Sequence, residues 1–383
     1  MDVADPVAVL ARLAAPPSAP FHELRVAREI VALCAASGLP WEADRYGNLL
    51  VWHRGAAAAG RRPIAFGAHT DHPGLEVVQT EPLLGRLLGG VPRHSFDRPV
   101  PVRFVHGEGG PEETPGRITG YREGADGQLE LLLEAGGPVP AGSFGVFDVG
   151  PFREADGLLH LPAADDLAGC AAILSALVRC ARTGLPADVC GVFTRCEEVG
   201  LVGATLVARQ GLLPPPTLVV SLEASRELPG AVIGGGPVIR VGDATMAFHP
   251  EGEAVLRRAR ARLLEEDAAP GTGSETGQAR ARPVQRQLMS GGTCEAAAYA
   301  LAGYVTGGVA FPLGNYHNVG PDGVIAAEYI HRRDLETGTD LLVAAAGCVA
   351  EGERAEPAAA RLALRADAAA PRLEASARDW TLA

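Results

Sequence analysis

The segment RCEEVGLVGA, Arg195–Ala204, follows an apolar run, Val189–Thr194 (VCGVFT), that is typical of a buried strand. Two adjacent carboxylates, Glu197 and Glu198, come directly after that run, and glycines then permit a tight turn into a helix. Ligands of open α/β sheets bind at the carboxyl ends of the strands. Two neighbouring acids repel each other there unless a cation stabilises them. We therefore infer a divalent metal site in which one acid is a ligand and the other a general base. The alternative is a solvated acidic pair at a helix N-terminus, where the helix dipole favours negative charge.

The composition is that of a globular protein with a sizeable core. The chain has 383 residues, of which 47% are hydrophobic and 21% are charged, which is ordinary for one large domain or two. The net charge of -12 argues against nucleic acid as a partner, because the nucleic-acid backbone is anionic. No run of about 18 apolar residues is present, so we expect no membrane span and no membrane partner.

The cysteines and the N-terminal residues indicate the cellular compartment of the protein. Seven cysteines are present, an odd number without a CxxC pair, which favours reduced thiols over a disulfide framework or a cysteine-type zinc site. The first residues carry acids before the apolar positions and lack the basic region of a secretory signal. We therefore expect a cytoplasmic protein.

The N-terminal part of the chain predicts helices followed by strands. Apolar positions at helical spacing over residues 7–33 predict two helices around a proline-rich break. The segment Trp41–Trp52 predicts a β-hairpin. The apolar run Pro63–Ala68 predicts a strand buried on both faces of a parallel sheet, and His69 stands at its end.

The pattern changes over Pro73–His160, where short alternating runs are separated by glycine and proline turns. Such a pattern predicts a small β-rich domain inserted into an α/β domain. We therefore predict that residues 73–160 form the inserted domain. Residues 1–72 and 161–383 would form the catalytic α/β domain.

The remainder of the chain alternates helices and strands. Leu161–Arg182 predicts a strongly apolar helix, and Thr217–Leu222 predicts a strand with Glu223 at its end. The Gly/Ser/Thr-rich stretch Ala268–Gln278 predicts a mobile loop, and Glu328–Ala350 predicts a final helix. The predicted fold class is α/β: a mixed, largely parallel sheet flanked by helices, with an inserted small β-rich domain.

Candidate metal ligands lie at or near the ends of the predicted strands: His69, Asp165, Glu198, Glu223 and His317. A lone histidine is more often a structural residue than a ligand, but such residues along one sheet edge favour a metal site. Histidines and carboxylates without thiolates are typical of catalytic zinc, cobalt or manganese rather than of structural zinc.

The motifs of the chain, taken together, resemble those of a known enzyme family. They are HTD (His69–Asp71), AADDLAG (Ala163–Gly169), TRCEEVGLVGA (Thr194–Ala204), the acid Glu223, SGGT (Ser290–Thr293) and YHN (Tyr316–Asn318). The set resembles the dinuclear metallo-aminopeptidases of the glutamyl-aminopeptidase/tetrahedral-aminopeptidase family, in the clan of co-catalytic zinc exopeptidases. The resemblance implies a homo-oligomeric hydrolase that removes N-terminal residues from small peptide substrates. It also implies two divalent metal ions, with zinc favoured over cobalt or manganese.

Carried over residue by residue, the resemblance implies that two metal ions share five protein ligands. Asp165 would bridge both ions. His69 and Glu223 would complete the ligands of one ion, and Glu198 and His317 those of the other.

The resemblance also implies roles for residues that do not bind metal. Glu197 would be the general base and acid of the hydrolysis. Asp71 would accept the second ring N–H of His69 and so hold its tautomer. Asp166 would follow Asp165 across a cis peptide bond.

The sequence departs from the family pattern at positions near the site. Glu223 stands where the family usually has Asp, His72 where it often has Glu, and Leu167 where it often has Arg. Cys294 follows SGGT where Asp is usual. These departures leave the preferred substrate and the assembly open.

Two other functions remain as alternatives. The first is a metallo-carboxypeptidase or N-acyl amino acid deacylase of the same clan, whose inserted domain lies between the later acid and the last histidine. The β-rich insertion between His69 and Asp165 favours the aminopeptidase arrangement instead. The second alternative is an inactive relative acting as a binding subunit. The sequence leaves two roles open for His72 and for His94: a structural role, or a role near the metal site.

Overall fold

The computed structural model describes residues 1–56, 61–107, 112–124, 129–268, 282–351 and 357–377. Its helices are α1 (Pro6–Leu13), α2 (Leu24–Ser37), α3 (Ala164–Thr183), α4 (Val202–Gln210), α5 (Pro250–Ala268), α6 (Glu295–Leu301), α7 (Arg332–Ala350) and α8 (Pro357–Ala377). Its first strands are β1 (Trp41–Ala43), β2 (Leu49–His53), β3 (Ile64–His69), β4 (Gly74–Thr80), β5 (Leu83–Leu88), β6 (Val100–Val105), β7 (Glu113–Glu123), β8 (Leu129–Ala135) and β9 (Phe144–Phe147). The later strands are β10 (Arg153–Ala155), β11 (Leu158–Leu161), β12 (Val189–Thr194), β13 (Leu218–Arg226), β14 (Val238–Arg240), β15 (Gln285–Gln287), β16 (Val305–Leu313) and β17 (Glu328–His331). Short 3-10 helices cover Arg93–Phe96, Tyr316–Asn318 and Pro321–Gly323.

The main sheet has the strand order β1-β2-β12-β3-β13-β16-β14-β15. Strands β12, β3, β13 and β16 are parallel neighbours, whereas the β1–β2, β2–β12 and β14–β16 pairs are antiparallel. The predicted mixed, largely parallel sheet is confirmed, and so is the hairpin formed by β1 and β2. The parallel centre brings the carboxyl ends of β12, β3 and β13 to one edge.

Apolar side chains explain why the central strands lie inside the protein. Every residue of β12 and β3 is buried, and α3 packs on both strands through an apolar surface that is itself buried. Gly191 in β12 permits the close approach, because a Cβ atom there would lie 2.7 Å from Cγ2 of Ile173 and 2.9 Å from Cδ1 of Leu177. The strand surfaces are therefore occupied by core packing, and polar side chains collect at the edge of the sheet.

The inserted β-rich segment contains a closed barrel of strand order β4-β5-β8-β7-β6-β9, which runs from Gly74 to Phe147. The barrel encloses an apolar core of its own, with Phe96, Phe104 and Ile118 among its buried members. The alternating runs in the sequence correspond to its inward- and outward-facing positions.

Strands β10 and β11 lie within the predicted insertion but do not belong to the barrel. They form a three-stranded sheet with β17. The reason is the burial of Leu159 and Leu161, whose side chains join the main apolar core together with Ile330. The barrel thus occupies only part of the predicted segment 73–160.

The predicted helix Glu328–Ala350 is wrong at its N-terminal end. Residues Glu328–His331 form β17, and α7 begins at Arg332. Pairing with β11 explains the difference, since Leu161 and Leu159 lie opposite Glu328 and Ile330 in the register. Local helical spacing cannot show a partner strand that is more than 160 residues away in the chain.

Two further expectations concern the C-terminal half. The predicted mobile loop Ala268–Gln278 lies, after Ala268, outside the described residues. Helix α8 belongs to a separate compact unit that starts at Glu351. No helix in the described part of the chain is long and apolar enough to cross a membrane.

A glycine in the first turn of α4 is expected to be essential for the turn after Glu198. The N–H of Gly203 donates to the Arg195 carbonyl oxygen at 2.9 Å, and a Cβ atom at Gly203 would lie only 2.6 Å from the Arg195 nitrogen. We expect Gly203→Ala to lower the free energy of unfolding by about 1–3 kcal/mol, as overpacking does. Urea unfolding measures this decrease in the free energy of unfolding.

The control is Gly120→Ala, where the new Cβ would meet Cδ1 of Leu132 at an ordinary 3.7 Å. We expect a change within about 0.5 kcal/mol for this variant. Equal losses for Gly203→Ala and Gly120→Ala would contradict the steric explanation.

Candidate metal centre

The parallel centre of the main sheet brings the predicted ligands together. His69 ends β3, Glu198 follows β12, and Glu223 lies in β13, so three neighbouring strands each supply one ligand. Asp165 lies at the start of α3, and His317 lies in the 3-10 helix that follows β16. All five side chains meet at the carboxyl edge of the sheet, where ligand sites of α/β proteins form.

The five side chains form two groups that share one carboxylate. In the first group, here called the His69 site, Nε2 of His69 lies 3.2 Å from Oδ1 of Asp165 and 3.5 Å from Oε1 of Glu223. In the second group, the His317 site, Nε2 of His317 lies 3.2 Å from Oε2 of Glu198 and 3.9 Å from Oδ2 of Asp165. The donor atoms of each group lie within 4.8 Å of one another. Asp165 thus directs one oxygen to each group, as a bridging ligand does.

The donor set fits two divalent cations. Oε1 of Glu198 and Oε2 of Glu223 are buried and have no hydrogen-bond partner among the described residues. When all are ionised, the three carboxylate ligands and the adjacent Glu197 carry four negative charges, which equals in size the charge of two divalent ions. Imidazole nitrogens and carboxylate oxygens without sulfur suit zinc, cobalt or manganese.

Crowding of buried carboxylates shifts their proton affinities. Burial, together with the Glu223 carboxylate, raises the pKa of Asp165 well above its usual value. Burial and neighbouring carboxylates likewise raise the pKa values of Glu197 and Glu198. For Glu223, burial alone would raise the pKa, but hydrogen bonds with His69 and Asp165 and the positive charges of His69 and Arg240 together lower it. Without cations, the cluster therefore binds protons in their place.

His69 and His317 have opposite electrostatic surroundings. Burial disfavours the charged form of His69, but the hydrogen bond to Asp165 and the nearby carboxylates of Asp71 and Glu223 raise its pKa well above the usual value. Burial lowers the pKa of His317 to about 3, so this ring is neutral. Nδ1 of His317 lies 2.7 Å from the Gly90 carbonyl oxygen, which can only accept a hydrogen bond. The ring proton is therefore on Nδ1, and the Nε2 lone pair faces the site.

The contact predicted between His69 and Asp71 exists in a different form. Nδ1 of His69 lies 3.0 Å from the backbone carbonyl oxygen of Asp71 and 3.7 Å from its carboxylate. The carboxylate instead accepts the N–H groups of Glu197 and Glu198, at 3.0 and 3.1 Å. Asp71 therefore holds the acidic turn after β12, and its backbone orients His69.

Glu197 and Asp166 lie beside the ligands. Glu197 lines a cavity of about 230 Å³, to which Asp165 and Glu223 also contribute. The peptide bond between Asp165 and Asp166 is cis, as the resemblance implied. Oδ1 of Asp166 accepts the N–H of Gly169 at 3.0 Å, within the first turn of α3.

Two buried residues lie behind the ligands: His72, for which the sequence left a structural role or a role near the site open, and Glu328, which the sequence did not single out. Nδ1 of His72 lies 2.8 Å from the Asp165 carbonyl oxygen, and its Nε2 lies 2.9 Å from Oδ1 of Asn318. Glu328 is fully buried and contacts the backbone on both sides of the site. Burial raises the pKa of Glu328 to about 8, although backbone N–H groups oppose this shift. No local motif marks Glu328, because its partners are brought to it by strand pairing.

His94 is not part of either ligand group. It lies in the 3-10 helix Arg93–Phe96, close to Gly323. A role for His94 over a neighbouring site stays a prediction.

A family model for the M42 glutamyl aminopeptidases matches residues 133–341, which is more than half of the chain. The chain belongs to the M42 glutamyl aminopeptidase family. M42 enzymes are dinuclear, co-catalytic metallopeptidases, and the chain is accordingly a metal-dependent aminopeptidase that hydrolyses peptides. A search of curated protein sequences finds no match.

Solved structures show the M42 fold at low sequence identity. The TET1 peptidase of Pyrococcus horikoshii is 22% identical, covers 89% of this chain and 99% of its own, and has a TM-score of 0.67. A TET aminopeptidase from a marine-sediment Thaumarchaeota archaeon is 20% identical, covers 92% and 99%, and has a TM-score of 0.73. An aminopeptidase from the archaeon Desulfurococcus kamchatkensis is 21% identical, covers 90% and 95%, and has a TM-score of 0.69.

The raised pKa values predict that metal uptake by the M42 site displaces protons. Asp165, Glu197 and Glu198 retain protons to higher pH than free carboxyl groups do, and a cation must compete with them. We expect the affinity of the metal-free protein for Zn²⁺ to keep rising with pH above the range in which free carboxyl groups ionise, about pH 4–5. Calorimetric titration in buffers of different ionisation enthalpy measures the protons released. Affinity independent of pH, with no proton release, would contradict this electrostatic account.

Proposed function

We propose that this M42 enzyme removes N-terminal residues from short peptides at the two groups that share Asp165. The observation that carries the proposal is the placement of Glu197 in the cavity wall beside two ligand groups that have one carboxylate in common. In this proposal, His69, Asp165 and Glu223 hold one cation, and Asp165, Glu198 and His317 hold the other. Zinc is the proposed metal, with cobalt and manganese as alternatives, because the ligands are nitrogen and oxygen only.

The bound cations would supply Lewis acidity, which activates water and stabilises negative charge on the scissile carbonyl oxygen. Glu197 would take the proton of the attacking water on its carboxylate and pass it to the leaving amine. Asp71 keeps the Glu197 backbone in place through the N–H hydrogen bond already described.

The cavity beside Glu197 supports a proposal for the substrate. Two arginines, Arg226 and Arg240, are among the lining residues, together with the apolar side chains of Leu228 and Met289. The guanidinium of Arg240 is buried, lies 4.0 Å from Oε2 of Glu223, and has an Nε without a hydrogen-bond partner in the described part of the chain. Buried positive charge favours an anionic side chain. We therefore propose peptides that begin with glutamate or aspartate.

One acidic residue of the cavity wall that is neither a proposed ligand nor the proposed base is hydrogen-bonded to the backbone. Glu227 also lines the cavity, but its Oε1 already accepts the N–H of Ile233 at 2.7 Å. Arg226, by contrast, is exposed at the cavity wall and lies over the Tyr316 ring at 4.5 Å. Arg226 is therefore placed to meet a substrate carboxylate.

Assembly and location are proposed on separate grounds. The TET1 peptidase of Pyrococcus horikoshii assembles into a tetrahedron or a large octahedral shell, which supports a homo-oligomer for this chain. All seven cysteines are buried thiols that form no disulfide, which supports the reducing cytoplasm.

Glu197→Gln and Glu198→Gln are isosteric changes at adjacent positions that separate proton transfer from metal binding. We expect Glu197→Gln to reduce turnover of aminoacyl-p-nitroanilides by about 10²–10⁴-fold, the usual contribution of a general base, while two cations stay bound. Glu198→Gln removes a ligand and should lose one cation. Metal analysis beside the kinetic assay measures both effects.

The same assay tests the alternatives. Cleavage of N-acetylated amino acids alone would assign the chain to deacylase or carboxypeptidase chemistry. Absence of all turnover with two cations bound would favour a binding subunit. Loss of both cations in Glu197→Gln would contradict the proposed division of roles.

Arg226→Gln tests the substrate preference. We expect kcat/KM for a glutamyl-p-nitroanilide to fall about 10- to 100-fold, since one charged hydrogen bond is lost, while hydrolysis of a leucyl substrate is unchanged. The control is Arg122→Gln, in the barrel, whose partner is Glu130. Equal losses of kcat/KM for the glutamyl and the leucyl substrate in Arg226→Gln would contradict the proposed preference.

A further inference from the structure

Glu328 is a buried carboxylate that joins two of the three segments that carry ligands of the His317 site, those of Asp165 and His317. Its Oε2 accepts the backbone N–H groups of Ala164 and Asp165, at 2.8 and 3.0 Å. Its Oε1 accepts the N–H of His317 at 2.8 Å, and the Asn318 N–H is also a hydrogen-bond donor to the carboxylate. One side chain thus contacts the backbone of the bridging ligand and of the last histidine.

The fold explains how one residue reaches both segments. Glu328 begins β17, where it pairs with Leu161 of β11, and the chain continues from Leu161 to Asp165. On the other side, Tyr329 of β17 forms a bridge with Gly314, just before the segment that carries His317. Strand β17 therefore lies between the two ligand-bearing segments.

The chemistry of this position requires a carboxylate. Every hydrogen bond described for Glu328 comes from a backbone N–H, and a carboxylate has acceptors on both oxygens. A glutamine in its place would turn an NH₂ group towards one set of N–H donors. Those buried donors would then be unsatisfied, which is unfavourable in a protein interior.

We propose that Glu328 is a positioning residue that sets the spacing of Asp165 and His317 and thereby the affinity of the His317 site for its cation. The proposal rests on the two-cation function proposed above. It predicts an asymmetry between the sites. The His317 site depends on Glu328 through two of its ligands, whereas the His69 site depends on it only through Asp165.

Cobalt titration of the metal-free full-length protein tests the proposal. The two binding steps are followed by the visible absorption of Co²⁺, and the step that disappears in His317→Ala identifies the His317 site. We expect Glu328→Gln to weaken that step about 10- to 100-fold, the usual effect of removing a group that orients a ligand. The other step should weaken less, and the absorption spectrum of the affected site should change.

A matched control is Asp334→Asn. Asp334 is also a fully buried carboxylate that accepts two backbone N–H groups, from Gly234 and Gly236, both at 2.7 Å. Neither glycine is next to a ligand. We expect this variant to lower the unfolding temperature without changing cobalt affinity or the spectrum.

The outcomes distinguish the two proposals. Wild-type cobalt affinity and spectrum in Glu328→Gln would overturn the positioning role, even if the variant is less stable. Glu328→Asp keeps the charge but has a shorter side chain, so it should also weaken cobalt binding at the His317 site. If Glu328→Gln does not fold, cobalt binding by Glu328→Asp tests the positioning role instead. If the wild-type protein binds fewer than two cobalt ions, the proposed function itself fails.

Discussion

Burial of several carboxylates at one edge of the main sheet is the constraint on which the rest of the structure depends. Asp165, Glu197 and Glu198 are held close together there, and burial raises the pKa of each. As free anions they would repel one another at a high cost in energy. Two divalent cations, bound as proposed, would remove this conflict. Metal binding is therefore coupled to folding, because the site exists only when distant segments have come together.

The support of the site comes from backbone groups in separate parts of the fold. Asp71, after β3, accepts the N–H groups of the acidic turn. The Gly90 carbonyl, in the segment after the barrel strand β5, accepts the ring N–H of His317. Glu328, in β17, connects the segments of Asp165 and His317. The inserted barrel and the small sheet thus both take part in shaping a site whose ligands lie elsewhere.

Sequence patterns predicted what depends on local order. Apolar runs followed by acids or histidines located the strand ends, and the resulting ligand set meets at one sheet edge. The same patterns failed where pairing between distant segments decides the structure. Residues Glu328–His331 have helical spacing but form β17, and β10 and β11 alternate like barrel strands but pair outside the barrel. The role of the Asp71 carboxylate was also missed, because its partners lie 126 and 127 residues away in the chain.

The sequence by itself determined the fold class, the family resemblance and the identity of the candidate ligands. These follow from hydrophobic periodicity and from residue types at strand ends, which are properties of short segments. Only the tertiary structure decided which carboxylate oxygen faces which histidine, which backbone groups support them, and that two arginines line the adjacent cavity. Distances of a few ångströms between residues far apart in the chain result from packing, and no local pattern contains them.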